Sequence, residues 1–140
     1  MAMLVADELL SNAVHNAPVD AGGEHFRKDV PRNIEIELAG RDTVKLRWGC
    51  DARYLAIEVT DQYGSIDRDT ILRALGKDSI RETGAGAGMG IALAYRSCDH
   101  LVFNLARSKR TEIIALVDVR YPPTERAPVS SYNVFVEKSS

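Results

Sequence analysis

The sequence predicts an α+β fold: a two-layer sandwich in which helices pack on one face of a mixed, mostly antiparallel β-sheet. Three observations lead to this prediction. Apolar residues recur at helical spacing through residues 2–17. Segments 34–38, 44–48 and 55–59 alternate strictly between apolar and polar residues, as half-buried strands do. The later chain adds a short helix, a longer helix and two strands, an order that suits helices segregated to one sheet face.

In the first half of the chain, we expect the opening helix to end at Pro18, because the residue before a proline disfavours helical geometry. Residues 19–33 are rich in Gly, Asp, Lys, Arg and Pro and predict a loop. The turn at residues 39–42 is then expected to join segments 34–38 and 44–48 as a hairpin.

In the second half, Asp67 is expected to cap a short helix that ends at Gly76. A glycine-rich stretch then opens a helix that runs to about Cys98. Segments 101–105 and 112–117 predict a hairpin, and segment 132–136 predicts a short strand in the tail.

Composition limits the classes of protein to which the chain can belong. With 140 residues, 45% hydrophobic and 27% charged, it is predicted to form one folded domain with its own core. A net charge of −2 gives no broad positive surface for nucleic acid. Asp7 and Glu8 interrupt the apolar start, and no run of about 18 apolar residues predicts a membrane span. We therefore expect a cytoplasmic protein, with Cys50 and Cys98 as unpaired thiols.

The first candidate site lies on the opening helix, where Glu8 and Asn12 stand four residues apart and so share one face. Asn12 is a candidate oxygen ligand for Mg²⁺, which takes few protein ligands beside water and phosphate oxygens. Glu8, one turn earlier, is a candidate general base for an attacking water or hydroxyl. The alternative is a solvated polar face opposite the core.

The second candidate is Asp61, which directly follows an alternating segment and precedes a turn that contains Gly64. A carboxylate at a strand end can accept the exocyclic amine of adenine, and a buried bond of this kind discriminates sharply between bases. A plain strand-ending turn is the alternative, because Asp and Gly favour turns by themselves.

The third candidate is the run of alternating glycines at positions 84, 86, 88 and 90. It lacks the Gly-Lys-Ser/Thr of a P-loop and the strand-then-GxGxxG of a dinucleotide fold. The remaining functional interpretation is a loop of small residues at a helix N-terminus, where backbone N–H groups can approach phosphates. An ordinary flexible connection is the alternative.

Together and in this order, these motifs resemble the ATP-binding module of the GHKL superfamily, which includes histidine kinases, gyrase-type ATPases and anti-sigma serine kinases. Glu8 and Asn12 match the N-box, and Asp61 matches the acidic residue of the first glycine box. Residues 86–91 are similar to the second glycine box, and Thr111 to the family threonine near adenine.

The resemblance covers roughly residues 4–119 and implies a Bergerat-type fold that binds ATP and Mg²⁺. It implies Glu8 as the catalytic residue and Asn12 as the metal ligand. It implies nucleotide contacts from Asn12, Asp61, Gly64, Gly86, Gly88, Gly90 and Thr111. On this basis, residues 1–120 are expected to form the ATP-binding domain and residues 121–140 a Pro-rich linker and tail.

The chain departs from the family pattern at three places. One is the lid region between Ile66 and Gly84, which is short and carries few glycines, so an ordered ATP lid is not expected. Tyr63 and Ser65 flank Gly64 where the family has Asp-x-Gly-x-Gly, and Tyr63 is expected to crowd or re-aim the adenine pocket. The sequence also starts inside the N-box, so the strand and helix that usually precede it are expected to be truncated or replaced by residues 120–140. Segment 132–136 is expected to pair with a free sheet edge, either in cis or across a homodimer.

These expectations leave two functions open. The first is an ATP-binding regulatory domain that transfers phosphate to a partner protein or hydrolyses ATP. The second is a catalytically silent module that binds nucleotide or protein in a signalling or transcription-control pathway.

Overall fold

A computed structural model describes residues 1–76, 88–120 and 130–138, and it confirms the α+β prediction. Within these residues three α-helices pack on one face of a five-stranded mixed sheet. The helices are α1 (Ala2–Ser11), α2 (Arg68–Leu75) and α3 (Gly88–Ser97). The strands are β1 (Lys45–Cys50), β2 (Tyr54–Asp61), β3 (His100–Ala106), β4 (Arg110–Asp118) and β5 (Ser131–Val136).

The sheet has the order β1-β2-β4-β3-β5. Every neighbouring pair is antiparallel except β3 and β5, which are parallel. The register between β2 and β4 sets the end of one strand beside the start of the other, with Asp61 opposite Thr111. This pairing brings two of the predicted site residues together.

The core lies between the helices and one face of the sheet. Alternate residues of β2, β3 and β4 are buried there, as the period of two in a strand requires. The largest fully buried side chains come from every layer and include Leu9, Ile71, Ile91, Leu101 and Phe103. Helix α1 contributes Val5 and Leu9, one turn apart on its inner face.

The predicted ends of the short helix are confirmed. The Asp67 side chain accepts a hydrogen bond from the backbone N–H of Thr70 at 2.8 Å, and Gly76 follows the last residue of α2. The opening helix ends before Pro18, but its last part, Asn12–Asn16, is a π-helical turn. A π-turn is rare and often occurs at a functional site.

The predicted hairpin of segments 34–38 and 44–48 is wrong. Residues 34–38 form no strand, and a 3₁₀ turn, Gly40–Asp42, precedes β1. All six residues of β1 are exposed, because the helices cover the sheet from β2 onward and leave this edge open. A strand beyond β1 would therefore gain cross-strand contacts but no burial in the core.

The predicted tail strand is present as β5, and it pairs in cis along β3. The Tyr95 hydroxyl on α3 donates to the Ser130 carbonyl at 2.7 Å, and the rings of Tyr95 and Tyr132 meet edge to face. Cys50 is exposed and Cys98 is buried. In the part of the chain that the structure describes, no helix combines the length and the apolar character that a membrane crossing needs.

Candidate functional site

Two adjoining pockets lie where α1, the loop after it, the end of β2 and the start of β4 meet. The inner pocket has a volume of about 90 Å³ and is lined by Asn12, Asn16, Ala17, His25, Asp61, Ser65, Ile66, Thr70 and Thr111. The outer pocket has about 630 Å³ and is lined by Glu8, His15, Asn16, His25, Lys28, Asp29, Val30, Arg32, Met89, Gly90 and Leu93. Asn16 and His25 line both. The outer volume falls in the range of small-molecule sites, roughly 300–1,000 Å³.

Asp61 lines the inner pocket at the last position of β2, and its side chain is almost fully buried. Its Oδ1 atom accepts hydrogen bonds from the backbone N–H groups of Tyr63 at 2.9 Å and Gly64 at 3.2 Å. Burial raises the pKa of Asp61, although these N–H groups and that of Thr111 act in the opposite direction. The carboxyl thus holds the turn, as the simpler alternative expects, and also lines the pocket.

Thr111 lies beside Asp61 and presents the clearest unmet hydrogen-bonding group of the site. Its residue is 2% exposed, and its Oγ1 atom is buried with no hydrogen-bond partner among the described residues. Buried hydroxyls in folded proteins are nearly always paired, so an unpaired one at a pocket wall points to a missing ligand or water. Thr111 and Asp61 together offer a donor and an acceptor at one point.

Asn12 lies across the inner pocket at the start of the π-helical turn. Its carbonyl accepts from the Ala17 N–H at 2.9 Å, and its Oδ1 atom accepts from Asn16 Nδ2 at 3.4 Å. The Ser65 hydroxyl donates to the Ala17 carbonyl at 2.7 Å and so ties the loop after β2 to this turn. The widened turn therefore sets two carboxamides, Asn12 and Asn16, at the pocket wall.

Glu8 lines the outer pocket and is 8% exposed, so the Glu8–Asn12 face is buried and not a solvated surface. Its Oε1 atom lies 3.8 Å from Nη1 of Arg32. A Cβ added to Gly90 on α3 would fall 2.7 Å from Glu8 Oε2. Gly90 therefore allows α1 and α3 to approach closely at this carboxylate.

The sequence analysis missed the cations of the outer pocket, Lys28 and Arg32. Both come from the loop after the opening helix, where no periodic pattern marks a site. The bridge between Val19 and His25 closes this loop, and the His25 ring nitrogen contacts the Asn16 carbonyl at 2.6 Å. The only sequence signal was the density of positive charge that follows the glycine pair at 22–23.

Gly64 does not lie at either pocket, although the sequence predicted it as a nucleotide contact. Its backbone adopts φ +59° against the β3–β4 turn, where its carbonyl accepts from the Ser108 N–H at 3.1 Å. Tyr63 also lines neither pocket. Its hydroxyl donates to Asp42, and the guanidinium of Arg41 lies 4.7 Å from its ring centre.

The glycine run is only partly visible. Positions 84 and 86 lie outside the described residues, Gly88 is the first residue of α3, and Gly90 lines the outer pocket. Among the predicted site residues, the structure thus brings Glu8, Asn12, Asp61, Gly90 and Thr111 around the two pockets.

The donor set near Asn12 fits a magnesium ion only if a ligand completes it. Within the described ranges no group of three or more His, Cys, Asp or Glu side chains could hold a metal alone. Asn12 offers one oxygen, and Mg²⁺ typically combines one or two protein oxygens with phosphate oxygens and water. Asn12 would therefore hold the ion together with a phosphate-bearing ligand.

Comparison with known proteins returns no match: no family model, no curated protein and no solved structure is similar to the chain.

Proposed function

We propose that the chain binds a purine nucleotide, with ATP and Mg²⁺ as the first candidates, and serves as a regulatory domain of the histidine kinase-like ATPase type. The single observation that carries the proposal is the buried pair of Asp61 and Thr111 at the wall of the inner pocket. An exocyclic amine can donate to the Asp61 carboxylate, and a ring nitrogen can accept from the unpaired Thr111 hydroxyl. This combination of donor and acceptor is what the edge of adenine requires.

The outer pocket supports the phosphate end of the proposal. It continues from the inner pocket through Asn16 and His25, and Lys28 and Arg32 bring two positive charges to its wall, beside the carboxylates of Glu8 and Asp29. The chain as a whole carries a net charge of −2, so a polyanion has to be held by local cations of this kind. Gly90 lies on the first turn of α3 at the same wall, where the helix dipole also favours negative charge.

Turnover is a separate question, because the Glu8 carboxylate already has neighbours on both oxygens. Arg32 lies beside Oε1, and the Gly90 backbone leaves no room for a side chain beside Oε2. A general base needs an oxygen directed at the nucleophile. The ion pair with Arg32 favours the second candidate, a catalytically silent nucleotide-binding or protein-interaction module.

Calorimetric titration with Mg-ATP tests the proposal, with Thr111→Val as the decisive variant. We expect this variant to weaken ATP binding about 2- to 12-fold, the range of one ordinary hydrogen bond. Its free energy of unfolding should be unchanged or higher, since the hydroxyl has no partner in the described fold. Asp61→Asn should weaken binding further, roughly 10- to 150-fold, because it removes a charge-assisted hydrogen bond.

The matched control is Thr60→Val, which makes the same change of side chain on β2. Thr60 directly precedes Asp61 and so lies on the opposite face of that strand. It should leave ATP affinity unaltered. If the wild-type chain gives no heat of binding with ATP, ADP or GTP, the nucleotide proposal is wrong and a protein-interaction module remains. If ATP binds, release of phosphate or its transfer to another protein separates an enzyme from a silent binder.

Three further expectations belong to the same proposal. A regulatory domain of this kind acts on a partner protein in the cytoplasm, neither on nucleic acid nor at a membrane. A homodimer through the tail remains an expectation, and the cis pairing of β5 with β3 means that any such contact would use the outer edge of β5. Light scattering of the intact chain gives the oligomeric state directly.

A further inference from the structure

Arg27 joins the loop after the opening helix to the rest of the fold. Its Nη2 atom donates to Asp42 Oδ2 at 2.9 Å, and the two side chains are only 15% and 17% exposed. The Tyr63 hydroxyl donates to the other oxygen of the same carboxylate. Hydrogen bonds from Arg27 and Tyr63 lower the pKa of Asp42, so the carboxylate stays charged at neutral pH. Three residues from three segments thus meet in one contact.

The Tyr63 end of this contact is firmly held. Tyr63 is 6% exposed, and its backbone N–H donates to the Asp61 carboxylate at the wall of the inner pocket. Arg41, whose guanidinium lies over the Tyr63 ring, donates to the Ser108 carbonyl in the β3–β4 turn at 3.0 Å. The turn after β2 is therefore fixed to a second turn, and Arg27 ties the loop to this fixed point.

The loop end of the contact carries the cations of the outer pocket. Lys28 directly follows Arg27, lines the outer pocket, and makes no hydrogen bond or ion pair within the described residues. Arg32 lies 3.8 Å from Glu8, which is long for an ion pair, and residues 19–25 are closed by a bridge of their own. The position of Lys28 at the pocket wall therefore depends mainly on its neighbour Arg27.

We infer that Arg27, Asp42 and Tyr63 form a latch that holds residues 26–32 at the outer pocket and so positions Lys28 for a phosphate-bearing ligand. The latch is incompletely satisfied, because Nη1 of Arg27 is buried with no hydrogen-bond partner among the described residues. A partly satisfied buried contact is weaker than a complete one, so it can open without unfolding of the core. The latch itself requires no nucleotide, whereas the identity of the ligand rests on the proposed function.

Limited trypsin digestion of the full chain tests the latch, because trypsin cuts after lysine and arginine. Asp42→Asn leaves the loop sequence intact and removes the charge that Arg27 contacts. We expect cuts within residues 27–32 to become at least about tenfold faster, the lower bound for loss of a charge-assisted hydrogen bond when cleavage follows opening. The matched control is Glu58→Gln, which removes a carboxylate that Arg47 contacts at 2.8 and 2.7 Å and that lines neither pocket. Its loop should be cut at the wild-type rate.

A milder variant keeps this test decisive if Asp42→Asn does not fold. Tyr63→Phe removes only the hydroxyl, and its loop should be cut about 2- to 12-fold faster, the range of one ordinary hydrogen bond. Circular dichroism establishes whether each variant is folded. A folded variant of either kind that is cut at the wild-type rate would overturn the latch.

Calorimetry with Mg-ATP and with adenosine tests whether the latch acts through Lys28. Asp42→Asn should weaken Mg-ATP binding about 5- to 150-fold, the usual range of coupling between two sites, and should leave adenosine binding unaltered. Lys28→Ala should weaken Mg-ATP binding about 10- to 150-fold. The double variant should bind no more weakly than Lys28→Ala alone, because residues that act as one unit are not additive.

The outcomes separate this inference from the proposed function. If Mg-ATP binds and Asp42→Asn leaves its affinity unchanged, or if the two losses add, the positioning of Lys28 is wrong while the proposed function holds. If the wild type binds no nucleotide but the latch variants are cut faster, the proposed function fails and the latch stands as the anchor of the loop.

Discussion

Gly64→Ala is the sharpest perturbation that the structure offers, because the sequence and the structure assign different roles to this glycine. The family resemblance makes Gly64 a nucleotide contact, whereas the structure sets it against the β3–β4 turn at φ +59°. An added Cβ would lie 2.8 Å from the Lys109 nitrogen and 2.9 Å from the Arg110 nitrogen, and nearer still to the Ala106 carbonyl oxygen. All three atoms belong to the backbone, so none can rotate away.

The expected destabilisation follows from two terms. An alanine in the left-handed region costs roughly 1–2 kcal/mol, and forcing a methyl group into packed backbone costs roughly 1–3 kcal/mol more. The free energy of unfolding should therefore fall by about 2–5 kcal/mol. For a domain of this length the entropy of unfolding is about 0.3 kcal/mol/K, so each kcal/mol shifts the melting temperature by about 3 °C. Gly64→Ala should melt roughly 7–17 °C below the wild type.

Thermal unfolding followed by circular dichroism measures this shift, with Gly49→Ala as the matched control. A Cβ at Gly49 on β1 meets no atom within 4 Å, so this variant should melt at or slightly above the wild-type temperature. A Gly64→Ala protein that melts with the control would refute the close approach to the turn. If Gly64→Ala kept its stability but lost affinity for ATP, the nucleotide-contact role would be the correct one.

Three other predictions concern the carboxylates of Asp61, Asp118 and Glu8. Burial raises the pKa of Asp61, so the protonated form contributes stability at low pH, and this contribution is lost as pH rises through the folded-state pKa. The free energy of unfolding in urea, measured at several pH values, should show this fall for the wild type and not for Asp61→Asn. A hydrogen bond from Arg120 lowers the pKa of Asp118 to about 2, so stability should fall as pH drops from about 4 toward 2, and Asp118→Asn should flatten that acid limb. Gly90→Ala would place a Cβ 2.7 Å from Oε2 of Glu8, the end of a flexible side chain that can shift, so the free energy of unfolding should stay within about 1 kcal/mol of the wild type in the same assay; a larger loss would show that the carboxylate is held in place.

Much of the fold was predictable because local chemistry determines it. The cap at Asp67 and the stop at Gly76 bound α2 by short-range hydrogen bonding and backbone conformation alone. The hairpin of β3 and β4 follows from two mostly apolar segments joined by a short polar turn. Residues 34–38 show the limit of this reasoning, because alternation gives a segment two faces but does not reveal whether a helix will cover one of them. The helices do not extend over β1, so residues 34–38 would gain no burial beside it, and they form no strand.

The candidate site was predictable where regular elements carry it and not where a loop does. Asp61 and Thr111 are paired across β2 and β4, so two motifs fifty residues apart in sequence meet in space. Lys28 and Arg32 lie in an irregular loop, and their convergence on the outer pocket depends on contacts that no periodicity encodes. Gly64 is the reverse case, because the sequence predicted a ligand contact at a residue that packs against the chain itself. A glycine required for close approach looks the same in sequence whether the approaching atoms belong to a ligand or to the chain's own backbone.

The spacing of Glu8 and Asn12 predicted one shared face, and the backbone between them agrees, because the Asn12 N–H bonds to the Glu8 carbonyl as in an α-helix. The π-helical turn comes afterwards: the Asn12 carbonyl bonds to the N–H five residues later, so the turn changes the direction of the residues that follow Asn12. On the shared face Glu8 lines the outer pocket with Arg32, and Asn12 lines the inner pocket with Asn16. A metal ligand and a base that serve one phosphoryl group must converge on it, and here they converge only where the two pockets join. A nucleotide bound with its base at Asp61 would have to carry its phosphates past Asn16 to bring both groups into play.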